Sequence, residues 1–375
     1  MSNNGFIEIE DHMTLSILGI GTALPSCWFT QTEAIRHAQS YCCENSAQER
    51  ALAGVYRRTN IRMRGSSVMA DANTHSHASS FYPLPAGPLD AGPTTGERMK
   101  QFAPTVLPLA VSAARAALAD AGVSASSITH IVTVSCTGFR SPGMDHGLLE
   151  ELPLSRSVRR CNVGFMGCHG ALNALDVASA WAARQPDAKI LLCAAELCTL
   201  HFQYGWNGDN VLANSLFADG AAALVAVGRA ESPRHAWRLV ASGSFVVPDT
   251  QDAMTWQIGD NGFIMTLSAL VPDLIEAHLY NMLARWLRDF GLRVSDITNW
   301  IVHPGGPRIL DAVSASLDLP DSALSDSREV LAEYGNMCSP TVLFILERML
   351  RRQAQGPCVM LAFGPGLTIE AALLN

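Results

Sequence analysis

The stretch GVSASSITHIVTV, Gly122 to Val134, returns as GLRVSDITNWIVH, Gly291 to His303, at an ungapped offset of 169 (291 − 122). Gly, Ser, Ile and Thr match at 122/291, 126/295, 128/297 and 129/298. The same offset lays Gly167 on Asn336, the helical run after Cys168 on Thr341 to Arg352, and a strand at Ile190 to Ala194 on Val359 to Phe363. Identity is low, yet three kinds of element agreeing in order at one offset point to a duplicated unit. Alternating strands and helices in two related halves predict an α/β architecture, with largely parallel strands covered by helices on both faces. Functional groups should then lie at strand C-terminal ends and helix N-termini, near the contact between halves. The halves are expected at 14–235 and 236–375, with 65–97 as a loop insertion in the first.

Gly164-Phe165-Met166-Gly167-Cys168-His169-Gly170 is a glycine-punctuated turn that delivers a cysteine to an apolar, alanine-rich run. Ala171, Leu172, Ala174, Leu175, Val177, Ala178 and Ala180 recur at helical spacing and Gln185-Pro186 ends the pattern, so Cys168 falls in a helix's first turn. Unpaired N–H groups and the positive end of the helix dipole favour thiolate there. Taken alone, Cys168 reads equally as a nucleophile or as a buried structural thiol. In the second half, His303 ends a strand and enters the rigid turn Pro304-Gly305-Gly306-Pro307, while Asn336 precedes a helix with Pro340 in its first turn. Capping alone would explain that asparagine. Together, a thiol at a positive helix end, a base to hold it as thiolate and an amide donor for a developing oxyanion suit acyl transfer through a thioester.

Composition narrows the field. The 375 residues are 48% hydrophobic and 16% charged, with a formal net charge of −8. That balance, with no basic run or aromatic-basic platform, argues against nucleic acid as a partner. Met1 to Met13 lacks the basic-then-apolar pattern of a signal peptide, and no apolar run of spanning length is free of charge, so a cytoplasmic protein without membrane insertion is expected. The ten cysteines follow no disulfide framework, and neither Cys42-Cys43 nor Cys193 and Cys198 has zinc-site spacing. His75 and His77 sit in a polar loop and read as solvated, so no metal is expected. Leu15 to Gly21 reads as a strand, and Gln31 to Ser40 begins a helical segment. Regular structure resumes at Thr105 in a helix stopped by Gly122. Arg57, Arg58, Arg62 and Arg64 make the densest positive patch, either a solvated helix face or a dock for a phosphorylated ligand.

Five motifs carry a resemblance: Gly167-Cys168 after a strand, His303-Pro304-Gly305-Gly306-Pro307, Gly335-Asn336-Met337, Phe363-Gly364-Pro365-Gly366, and Leu216-Phe217-Ala218-Asp219-Gly220. From Leu15 onward the chain resembles a type III polyketide synthase of the chalcone-synthase-like family, bacterial in type. The resemblance implies a thiolase-like fold, two pseudo-symmetric βαβ-rich halves layered α-β-α-β-α. It implies that Cys168 takes an acyl starter from coenzyme A and holds the growing chain. His303 and Asn336 would bind the malonyl-CoA thioester carbonyl, then stabilise the enolate left by decarboxylation and the tetrahedral intermediate. Phe217 matches one gatekeeping aromatic, and Leu267 falls at the second. Cys136, Cys198, His201 and Cys338, with Ile258 and Gly366, fall at cavity positions. Arg58, Arg57 and Arg308 are the candidate coenzyme A contacts, since Ala51 and Gly54 occupy other basic positions of the family. Phe139 to Gly143 matches a loop that crosses a homodimer interface, bringing Ser141 near the partner's cavity. No cofactor is implied beyond coenzyme A thioesters as substrates. A ketoacyl synthase III-like single condensation is the alternative enzyme, against which the Phe363-Gly364-Pro365-Gly366 motif argues. A non-catalytic acyl-CoA binding module is weaker still, because all three triad residues are present.

Overall fold

The computed structural model describes residues 15–69, 81–228 and 237–375. His75, His77, Met1 to Met13 and the expected 235/236 boundary lie outside the described residues. The first half runs β1 (Leu15–Ala23), β2 (Cys27–Thr30), α1 (Gln31–Cys42), α2 (Ser46–Arg58), β3 (Met63–Ser66), α3 (Thr95–Ala121), β4 (His130–Ser135), α4 (Met144–Glu151), β5 (Arg159–Gly164), α5 (Gly170–Arg184), β6 (Lys189–Leu197), α6 (Gly208–Leu216) and β7 (Asp219–Val227). The second supplies β8 (Arg238–Val246), the hairpin β9 (Met254–Gly259) and β10 (Gly262–Leu267), α7 (Val271–Arg288), β11 (Asn299–Val302), α8 (Pro307–Leu317), α9 (Ser325–Tyr334), α10 (Thr341–Arg351), β12 (Cys358–Gly364) and β13 (Thr368–Leu374). Two strand starts keep the offset of 169, β4 at His130 with β11 at Asn299 and β6 at Lys189 with β12 at Cys358, while α5 and α10 start 171 apart (341 − 170).

Nine strands form one sheet, in the order β11-β12-β13-β8-β1-β7-β6-β4-β5. Its two parts meet where β1 pairs β8 through Leu15 with Leu239 and Ser16 with Arg238. The pairs β4/β5, β4/β6 and β11/β12 are parallel and the others antiparallel, so the sheet is mixed and not largely parallel as expected. The β12–β13 connection shows why. A tight turn between neighbours can join only antiparallel strands.

Side-chain alternation along the strands divides the core into three. Ile131, Leu191 and Ala223 pack with Ala110, Ala113 and Ala117 of α3. The opposite face, through Val132, Leu192 and Leu224, and the inner face of the second half, through Met360 and Ala372, enclose Leu175 of α5 and Leu346 of α10. Trp300, Leu361 and Leu373 pack outward against Leu283 of α7 and Leu310 of α8. The layers are therefore α-β-α-β-α, and strands covered on both faces read as continuous apolar runs, as β7 does.

Helix α3 begins at Thr95, earlier than the expected Thr105. Thr94 and Glu97 form a reciprocal capping box, the helix carries Pro104 and Pro108 inside it, and Gly122 ends it at φ 64°. By length and composition α3 is apolar enough to cross a membrane, but here its Phe102, Val106 and Leu109 belong to the first core.

Candidate active site

After β5 the chain turns through Phe165 (φ 59°) and Gly167 (φ 77°) into one 3-10 turn, Gly167–His169, that continues into α5. Cys168 thus stands where a helix presents unpaired N–H groups. Close approach dictates two of the surrounding glycines. A Cβ on Gly167 would lie 2.5 Å from Pro365 Cδ, and one on Gly364 would lie 2.2 Å from His169 Cδ2. The cysteine turn of one half and the β12–β13 turn of the other therefore cross in direct contact.

His303 follows β11, its N–H donating to the Leu361 carbonyl at 2.8 Å. The ring is buried, and neither nitrogen has a hydrogen-bond partner of ordinary geometry among the described residues. Asn336 lies between α9 and α10, after Gly335 at φ 76°. Its N–H donates to the Leu216 carbonyl and its carbonyl accepts from Ala218 N–H, both at 2.9 Å, which ties it in a strand-like bridge to Phe217. Asn336 does not cap α10, whose N-cap is Pro340. Its Oδ1 instead accepts the Cys338 N–H at 2.8 Å, which leaves the amide NH2 as the donor for another group.

Charge converges on Cys168. The Cys338 thiol interacts with it directly and holds its pKa well below the ordinary 9.0, against the opposing effect of burial. His303 lowers it further, by charge more than by an imperfectly aligned hydrogen bond, and His169 adds to this. Cys338 is displaced the other way, well above 9.0, by its bonds to Cys136, Cys168 and Cys198. Burial pushes Cys198 up to about 12. The cluster thus holds one thiolate among neutral thiols.

One central residue is absent from the sequence-based site. Glu196, at the end of β6, is fully buried, and burial pushes its carboxyl up to about 7. It accepts from Ser339 Oγ at 2.6 Å, Thr137 Oγ1 at 2.7 Å and Ser135 Oγ at 3.1 Å. The N–H groups of Cys136 and Thr137 donate to it at 2.9 and 3.1 Å. Glu196 therefore braces the strand end carrying Cys136 against the turn carrying Cys338, one from each half. Its signal in the sequence is a single acid in the apolar run from Ile190 to Leu197.

The cavity at Cys168 is walled by Cys136, Cys198, Phe217, Trp256, Met265 and Cys338. Ile258 and Leu267 do not line it. The hairpin pairs Trp256 with Met265, Ile258 with Phe263 and Leu267 with Met254, so both expectations slid two residues along the correct face. Ile258, near the hairpin tip, is 62% exposed, and Leu267 packs on the second-half core. Gly366 (φ 74°) is spent on the turn, where its N–H donates to the Met254 carbonyl, and Pro365 lines the cavity instead. His201 offers no hydrogen bond to a bound chain. Its Nε2–H donates to the Thr137 carbonyl at 2.7 Å, its Nδ1 accepts Phe263 N–H at 2.9 Å, and burial drives its pKa to about 3. It walls a second cavity, which Cys198, Phe217, Trp256 and Met265 divide from the first. Trp256 is pinned in that partition by Nε1–H donating to the Cys136 carbonyl at 2.8 Å.

The arginine patch divides. Arg64 is buried, its guanidinium donating to the Ser215 and Asn214 carbonyls at 2.6 and 2.9 Å, and Arg62 pairs with Glu329 at 2.7 Å. Arg57, Arg58 and Arg308 are exposed, with no ion pair shown among the described residues. Phe139, at the head of the Phe139 to Gly143 loop, is 70% exposed beside Phe165.

Two family descriptions match the chain: Chalcone and stilbene synthases, N-terminal domain, over residues 9–230, and C-terminal domain, over 238–375. The alpha-pyrone synthesis polyketide synthase-like Pks18 of Mycobacterium tuberculosis is 32% identical over 366 residues, covering 96% of this chain and 90% of that protein. The 1,3,6,8-tetrahydroxynaphthalene synthase of Streptomyces peucetius subsp. caesius is 33% identical over 365 residues, covering 96% of this chain and 93% of its own length. Among solved structures, PKS-I of the brown alga Ectocarpus siliculosus superposes with a TM-score of 0.89 at 32% identity, covering 98% of this chain and 100% of that one.

Proposed function

The chain belongs to the chalcone and stilbene synthase family and is a type III polyketide synthase, an acyltransferase; within that family we propose that Cys168, His303 and Asn336 carry the condensation. The Cys168 thiolate attacks the thioester carbonyl of an acyl-CoA starter, or of malonyl-CoA, and expels the coenzyme A thiol. Malonyl-CoA then sets its thioester oxygen against the His303 imidazole and the Asn336 NH2. These donors hold the charge that develops as carbon dioxide leaves and an enolate forms. The enolate carbon attacks the Cys168 thioester, the new C–C bond forms, and Cys168 departs as thiolate. Return of the elongated chain to Cys168 makes the cycle iterative, and the reaction balances with coenzyme A thioesters alone. The observation that carries this reading is the thiolate held among Cys338, His303 and His169 at the start of α5.

Phe217, Cys136, Cys198, Cys338, Trp256 and Met265, which wall the cavity at Cys168, shape a polyketide released as a pyrone, resorcinol or related aromatic. Arg57, Arg58 and Arg308, exposed and uncompensated, receive the phosphates of coenzyme A. The half boundary is read at 235/236. A homodimer covers exposed Phe139 and the edge strand β5, which a second copy would shield from water and from unpaired edge groups. Free thiols and coenzyme A substrates suit the cytoplasm. Incubation with malonyl-CoA, alone or with acyl-CoAs of graded length, tests the reading by mass spectrometry. Products extended by two or more units support it, and β-ketoacyl products of a single extension refute it.

A further inference from the structure

Three cysteines surround the candidate nucleophile, and their relations to it differ. Cys136, Cys198 and Cys338 form one buried cluster against which Cys168 and Phe217 pack. Cys338 is the thiol that bonds Cys168 directly, whereas Cys136 and Cys198 only feel its charge, which raises their own pKa values. The Cys136 sulfur is also engaged elsewhere, accepting Gly167 N–H at 3.1 Å and donating to the Gly167 carbonyl at 3.5 Å. From this arrangement we propose that Cys168 and Cys338 form a reversible oxidation site, Cys338 being the resolving thiol that captures oxidised Cys168 as a disulfide. The oxidant is a hydroperoxide, hydrogen peroxide or an organic one, small enough to enter the cavity.

The chemistry closes in two steps. The Cys168 thiolate attacks the distal peroxide oxygen, the O–O bond breaks, and the departing alkoxide or hydroxide takes up a proton, leaving Cys168 as sulfenic acid. The Cys338 sulfur then attacks the Cys168 sulfur, the S–O bond breaks, and hydroxide leaves as water with the Cys338 proton. Two electrons pass from the thiol pair to the peroxide, and a thiol reductant reverses the result. The first step also promotes the second. Part of what holds the Cys338 proton is the negative charge on Cys168, and a neutral sulfenic acid removes it. Without a resolving thiol, a sulfenic acid proceeds to irreversible sulfinic acid.

The inference rests on Cys168 being the reactive thiolate, and peptide masses separate its failure from failure of that reading. Full-length protein is treated with hydrogen peroxide, digested without reduction and mapped, while condensation is followed before and after dithiothreitol. The expected result is a Cys168–Cys338 cross-linked peptide, loss of activity and its return on reduction. Cys338→Ser and Cys338→Ala should gain two oxygens at Cys168, and the lost fraction of each variant's own activity should not return. Sulfinic Cys168 without a cross-link in the unmodified protein overturns the inference, as does a Cys136–Cys338 disulfide with Cys168 still reduced. Variants that recover as fully as the parent also overturn it. A Cys168 that resists both peroxide and iodoacetamide refutes the thiolate reading itself. Should both variants fail to fold, the map of the parent protein decides.

Discussion

Replacing Glu196 with glutamine should remove a specific slope from the pH dependence of stability. The carboxyl is fully buried and titrates at about 7 in place of its ordinary 4.5. Because the folded value is raised, the stabilising contribution is fully present below about 4.5 and is lost as pH rises through about 7. At roughly 1.4 kcal/mol for each pH unit, the interval between 4.5 and about 7 amounts to about 3 kcal/mol. Glutamine carries no proton to lose, and its geometry is accommodated. Its carbonyl can take the Cys136 and Thr137 N–H groups while its NH2 donates to Ser339 Oγ, whose hydroxyl rotates to accept. Urea unfolding of both proteins across this pH window is the assay, and the difference between them should change by about 3 kcal/mol in favour of the variant as pH rises. Asp219, raised to about 6 by burial, contributes a slope of the same sign but cancels in the difference. Glu196→Ala instead lowers the whole curve, since each orphaned donor costs roughly 1–3 kcal/mol. Parallel curves for the parent and Glu196→Gln would refute the reasoning.

Cys168→Ala should abolish condensation while malonyl-CoA decarboxylation persists, and His303→Ala or Asn336→Ala should each cut decarboxylation by about 10²–10³, read as carbon dioxide release; unchanged release in both variants would remove them from the site. Trp256→Leu should open the partition between the two cavities and move starter preference toward longer acyl-CoAs, and an unaltered chain-length profile would show that Trp256 is no barrier. Arg308→Ala and Arg58→Ala should each raise KM for coenzyme A substrates about fivefold at low salt, equivalent to about 1 kcal/mol, with little change in kcat. Iodoacetamide should alkylate Cys168 well below pH 9, because its thiol is held far under the ordinary 9.0, whereas Cys198, at about 12, should stay inert.

Local punctuation made much of this molecule legible. Gly122, Gly167 and Gly335 all adopt positive φ, and with the apolar periods between them they mark where elements stop and turn. Cys168 and Asn336 each adjoin such a glycine, and His303 adjoins the turn Pro304-Gly305-Gly306-Pro307, which is how the sequence offers them as candidates. The misplaced residues lie where tertiary geometry decides. A strand repeats every two residues, so Trp256 and Ile258 share a face, and only the position of the cavity along the hairpin distinguishes them. Nothing local marks the two hydrogen bonds of His201, because its partners, the Thr137 carbonyl and Phe263 N–H, lie 64 and 62 residues away. Arg64 looked like its exposed neighbours, yet its guanidinium is held by carbonyls near residue 215. Glu196 went unnoticed because its partners are neutral hydroxyls and N–H groups, which leave no charge pattern to read.

The crossing of the cysteine turn with the second half bears on how the protein is made. Both groups that do most to keep Cys168 ionised, Cys338 and His303, lie more than 130 residues downstream of it (303 − 168 = 135). While the first half emerges and packs, Cys168 therefore lacks both, and only His169 and the helix start favour its thiolate. The full lowering of its pKa arrives only once the second half carries Cys338 and His303 to the cysteine turn.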